Sequence, residues 1–89
     1  MRLDKFLKVS RLVKRRTVAC ELCQGGHVKI NGNVAKPSVE VKVGDLLQIR
    51  FGNRLITARV EHVPEKAVPA QVADTLYTLL EETPLESPL

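Results

Sequence analysis

At residue 28 the hydrophobic period of this chain changes from that of a helix to that of a strand, and that change fixes the order of its elements. Upstream, Leu3, Phe6, Leu7 and Ser10 fall on one face at 100° per residue. Lys5, Lys8, Arg11 and Asp4 fall roughly opposite, with Arg2 at the margin, so the spacing predicts an amphipathic helix over 3–10. Thr17 is a plausible N-cap for a second helix over about 18–24, with Val18, Leu22 and Cys23 on one face. Gly25-Gly26 ends it, because glycine tolerates the left-handed conformation of a C-terminal cap. Downstream, Val28 and Ile30 alternate with Lys29. Asn31-Gly32 is a hairpin signal, since a type I′ turn needs positive φ at both positions. The return strand is 33–35, stopped by Pro37. Val39, Val41 and Val43 predict a further extended stretch. Leu47, Ile49 and Phe51 predict a strand, and 55–63 the last strand. Residues 70–82 read as a helix with Val72, Leu76, Leu79 and Leu80 as its apolar stripe, and Thr83-Pro84 onward as a mobile acidic tail.

Helices followed by short strands define an α+β fold: two N-terminal helices on a small bent antiparallel sheet, plus a short C-terminal helix. At 89 residues there is one domain at most, placed at 1–63, with 64–89 as an extension. A chain this short buries roughly 60–65% of its unfolded surface, which leaves little room for an enclosed substrate pocket.

Charge is distributed unevenly. Residues 1–16 carry Arg2, Lys5, Lys8, Arg11, Lys14, Arg15 and Arg16 against Asp4, a net +6, whereas 61–89 carry −5 and the whole chain +4. Such a field attracts polyanions, either nucleic acid or an anionic membrane surface. The membrane is disfavoured: the longest apolar run is Val18-Ala19-Cys20, and the first helix needs its apolar face for the core. Charges interrupt the opening residues where a signal peptide is apolar, so the cytoplasm is the expected compartment. Arg11 to Arg16 form the joint between the helices, close to the N–H groups that open the second, so phosphate is the expected ligand there.

Aromatic residues are 3% of the chain, namely Phe6, Phe51 and Tyr77, and both phenylalanines fall in the apolar patterns. Readers of single strands need exposed rings for bases to stack on. A basic surface without them suits structured RNA, recognised by shape, phosphate and 2′-hydroxyl. Arg2 and Arg16 suit phosphate through the guanidinium fork. Asp4 is expected either to orient an arginine or accept from a ribose hydroxyl, or simply to complement the helix dipole. Lys29 and Asn31 flank the hairpin tip within possible reach of the same RNA, although the turn alone accounts for Asn31.

Four segments in order carry a resemblance: Arg2-Leu3-Asp4-Lys5-Phe6-Leu7, Arg15-Arg16-Thr17-Val18-Ala19, Gly26-His27-Val28-Lys29-Ile30-Asn31-Gly32 and Val43-Gly44-Asp45. Together they resemble the S-four RNA-binding domain. The opening MRLDKFLKVSRLVKRR, with Phe51-Gly52 and Tyr77-Thr78, looks like the RqcP and heat-shock-protein-fifteen group. The resemblance implies a non-catalytic factor that binds 23S rRNA and peptidyl-tRNA on obstructed large ribosomal subunits and assists RqcH in tailing the stalled chain. It places Arg2, Asp4 and Arg16, with the surrounding cations, at the RNA. A monomer off the ribosome and no cofactor are expected. The alternatives are a heat-shock-type factor recycling large subunits and a helix-turn-helix DNA binder. For the latter, Thr17-Val18-Ala19-Cys20 is poor in base-reading side chains.

Cys20 and Cys23 have CxxC spacing, but His27 and distant His62 do not complete a zinc site, and the pair lies inside a helix rather than at its start. The histidines have no evident nucleophile or carboxylate partner, and the glycines form no phosphate-binding loop of the Walker or dinucleotide type.

Overall fold

The computed structural model describes residues 1–84. Helix α1 spans Leu3–Val9 and α2 spans Arg16–Gln24. Strands β1 (Val28–Ile30), β2 (Asn33–Val34), β3 (Leu46–Phe51) and β4 (Arg54–Val60) follow. A single helical turn, α3 (Ala70–Ala73), runs through a 3-10 turn (Asp74–Leu76) into strand β5 (Tyr77–Pro84). The five strands form one antiparallel sheet in the order β2-β1-β3-β4-β5. The fold is α+β.

The apolar stripe of α1 is buried: Leu3, Phe6, Leu7 and Ser10 are fully covered. They pack with Ala19 and Cys23 of α2 onto Val28, Leu47, Ile49 and Val60 of the sheet. Each fully buried Leu, Ile or Phe contributes about 1.5–3 kcal/mol. No side chain caps α1. Its first two N–H groups, on Leu3 and Asp4, instead donate to the carbonyls of Val39 and Pro37, so a distant loop satisfies helix-end donors that would otherwise be left unpaired.

Helices α1 and α2 each end on a left-handed residue. In α2 this is Gly26, φ +78°, and the His27 N–H closes onto the Leu22 carbonyl at 2.9 Å. In α1 the corresponding place is taken by Arg11, φ +67°. The hairpin turn is confirmed, with φ +52° at Asn31 and +87° at Gly32.

Several expected boundaries move. Helix α1 stops at Val9, with Ser10 as its cap. Helix α2 starts at Arg16, so Thr17 lies in its first turn; extended Arg15, φ −125° and ψ 139°, is the capping position. Residues 39–43 form no strand. Only Glu40 bridges, to Arg2; Val41 is buried, Val39 and Val43 are exposed, and the Val39 carbonyl serves the start of α1. Strand β4 ends at Val60 and is not the last.

The largest correction concerns 70–82. Only its first residues are helical; Tyr77 onward pairs with β4 along its length, with a bulge at Thr57/Ala58. Leu76 belongs to the core, whereas Leu79 and Leu80 are half-exposed rather than a buried stripe. Without β5 the outer edge of β4 would present unpaired N–H and C=O groups, and the strand covers them. Thr83 and Pro84, expected in a mobile tail, are strand residues; the rest of that tail, 85–89, lies outside the described residues.

Candidate nucleic-acid interface

Asp4, second residue of α1, is buried although the helical period places it on the charged face. Its cover is cationic. Arg2, just before α1, and Arg16, the first residue of α2, both reach it. Arg2 contacts the carboxylate through Nε and Nη2 at 3.3 Å, and Arg16 through the same two atoms at 3.5 Å. The Asp4 side chain is 5% exposed, against 54% for Arg2 and 49% for Arg16. The Lys5 N–H donates to Asp4 Oδ1 at 2.8 Å. One buried carboxylate thus fastens two half-exposed guanidinium groups side by side, and each keeps Nη1 for an outside acceptor. Of the two structural expectations for Asp4, orienting an arginine is met directly, and its place in the first turn also suits the helix dipole.

Arg2, Lys5 and Arg16 line a concavity of about 480 Å³ together with Met1, Val63, Pro64 and Glu65. Arg11, Lys14 and Arg15 line a second groove, of about 600 Å³, on the other side of the start of α2. Six of the sequence-predicted cations therefore flank the helix joint, and consecutive Arg15 and Arg16 divide between the two hollows.

The remaining predicted residues separate from this group. Lys8 is exposed on α1 and lines neither hollow. Lys29 lies on the outer sheet face with Gln48, Arg50 and His27. Asn31 is occupied structurally: its amide donates to Asp45 Oδ1 at 3.2 Å, and its carbonyl accepts from the Leu46 N–H at 3.0 Å. Two contributors went unpredicted. Arg54, from the β3–β4 hairpin, joins the second groove, and Phe51 lines it half-buried instead of disappearing into the core. Arg54 also pairs with Glu82 of β5 at 3.1 Å. The local signal for both was the Gly52-Asn53 turn beside them; that the turn folds back to the helix joint is long-range information.

Cys23 offers little reactivity. Burial, then the nearby Asp4 charge and Cys20, push the Cys23 thiol up to about 11, so it stays protonated at neutral pH. Among the described residues no cluster of three or more His, Cys, Asp or Glu is placed to hold a metal ion, and no helix is long and apolar enough to cross a membrane.

Comparison with known proteins agrees with this architecture. The model of the S4 domain matches residues 1–47, more than half of the chain. The RQC P-site tRNA stabilizing factor of Halalkalibacterium halodurans is 54% identical over 85 residues, covering 96% of both chains. The protein of the same name from Bacillus subtilis is 51% identical over 85 residues, 96% of this chain and 98% of that one. Among solved structures, the trimeric heat shock protein 15 of Vibrio cholerae superposes with a TM-score of 0.81 at 35% identity, over 89% of this chain and 80% of that one. The helix pair, the sheet and the matched opening residues together place this chain in the S4 domain family, in the group of the RQC P-site tRNA stabilizing factors and heat shock protein 15.

Proposed function

We propose that this protein is a non-catalytic RNA-binding factor of ribosome-associated quality control. It binds 23S rRNA and peptidyl-tRNA on obstructed large ribosomal subunits in the cytoplasm and assists RqcH in tailing the stalled chain. The observation that carries the reading is the Arg2–Asp4–Arg16 cluster, a preset pair of forks suited to neighbouring phosphates. Its support is the name and near-full-length likeness of the relatives that stabilise a P-site tRNA. The cations at the joint supply the phosphate attraction, and positioning requires no reacting group.

The test is sedimentation of the protein from cell lysate, with and without blocked nascent chains. Enrichment on obstructed large subunits, dependent on Arg16, is the expected result. Residence on mature small subunits, or equal affinity for duplex DNA at the same salt, sinks the proposal. Large-subunit binding with undiminished tailing in the protein's absence selects instead the heat-shock-type recycling role that the resemblance implies. Light scattering in the same buffer tests the expected monomer against a trimer like that of the Vibrio protein.

A further inference from the structure

The second groove differs in kind from the Arg2–Asp4–Arg16 cluster. Its apolar lining includes Val18 of α2, Ile56 of β4 and half-buried Phe51 at the end of β3. Its rim is cationic: Arg11, Lys14 and Arg15 from the helix joint, and Arg54 from the facing hairpin. Arg54 is tied to Glu82, whereas among the described residues Arg11, Lys14 and Arg15 enter no ion pair. The lining carries no side-chain hydrogen-bond acceptor.

We propose that this groove seats one unstacked nucleotide of the bound RNA, with the base against Phe51 and its flanking phosphates on Arg11, Lys14 and Arg15. The inference rests on the RNA-binding reading and adds to it a single-stranded element. A base offers a flat apolar surface between two anions, matching an aromatic and aliphatic floor within a basic rim. At about 600 Å³ the groove falls within the range of small-molecule sites. An acidic peptide matches the charge but brings no flat aromatic face to lie against Phe51. The groove also adjoins the other hollow through Arg15 and Arg16, so one RNA can fill both, with folded backbone on one side and an extruded base on the other.

The chain contains no tryptophan, so Phe51→Trp introduces a unique fluorophore at the seat. The probes are a hairpin RNA with an unpaired loop and a blunt duplex of equal length. The hairpin is expected to quench the introduced tryptophan, and the duplex, binding through phosphates alone, to leave it bright. Phe51→Leu should weaken hairpin binding about ten-fold with little change for the duplex. A thermal melt verifies that the variant folds, and the tryptophan signal decides the matter if it does not. Arg16-dependent hairpin binding without quenching overturns the seat and leaves the RNA reading standing. Equal quenching by the duplex, or quenching by a polyglutamate peptide, also overturns it. If wild-type protein binds neither RNA, both readings fail together.

Discussion

Arg16 and Asp4, twelve positions apart, meet at 3.5 Å across the joint between the first two helices, with the carboxylate buried and the guanidinium half in solvent. Arg2, just before α1, meets the same carboxylate at 3.3 Å. Net charge and geometry therefore make opposite forecasts for the removal of Asp4.

Asp4→Asn adds one positive charge to the surface. If attraction alone mattered, RNA binding would tighten. Because Asp4 holds both arginines in place, we expect binding to obstructed large subunits to weaken about five- to ten-fold, with roughly 1–2 kcal/mol of stability lost with the charged hydrogen bonds. Filter binding at fixed salt, paired with a denaturant melt, measures both. Tighter subunit binding by the variant refutes the positioning role.

Arg2→Ala and Arg16→Ala should weaken subunit binding more than Lys66→Ala, since Lys66 is exposed and lines neither hollow. Each lost phosphate contact lowers the slope of log affinity against log salt by about one. A binding loss at constant slope would point to a damaged fold instead.

Arg11 holds a left-handed conformation that costs a non-glycine residue about 1–2 kcal/mol, partly offset for glycine by its greater unfolded freedom. Arg11→Gly is accordingly expected to raise stability by roughly 0.5–1 kcal/mol while weakening RNA binding through the loss of a rim cation. Thermal melts and RNA titrations on the same preparation test the pair of effects. Destabilisation would mean that the aliphatic stem of Arg11 packs more tightly than its exposure indicates.

Cys23 carries a pH dependence of known sign. Its thiol is raised from 9.0 to about 11 by burial first and then by Asp4 and Cys20, so folding favours the protonated form. The associated stability is complete below pH 9 and disappears as pH rises through 11. Cys23→Ala should remove that alkaline loss from a denaturation series. At pH 8, iodoacetamide should label half-buried Cys20 before buried Cys23; the reverse order would contradict the burial argument.

Local pattern determined most of the fold. The stripe on α1, the glycines closing α2 and the Asn31-Gly32 turn each carry their instruction within a few residues, and each element lies where that instruction places it. In the segment 70–82, Val72, Leu76, Leu79 and Leu80 fit a helical stripe, while the choice of strand from Tyr77 depends on pairing with β4, a tertiary fact. Tyr77, Thr78 and Thr83 are the residues that favour extended chain there. The site was partly legible for the same reason. Clustering of Arg11, Lys14, Arg15 and Arg16 is visible along the chain, but burial of Asp4 requires knowing that Arg2 and Arg16 converge on it. Phe51 and Arg54 reach the groove only through the return of a hairpin.

Arg15 and Arg16 face two different hollows because the turn into α2 begins between them. Inserting or deleting one residue just after this point would rotate the rest of α2 by about 100° relative to them. Ala19 and Cys23 would then leave the core unless the helix start shifted, which would send each arginine to the other's neighbourhood. The length of this joint is thus held from two directions, whereas the Gly52-Asn53 tip faces no such double demand. Homologues should vary in length at the tip and keep an invariant count of residues between Asp4 and Ala19.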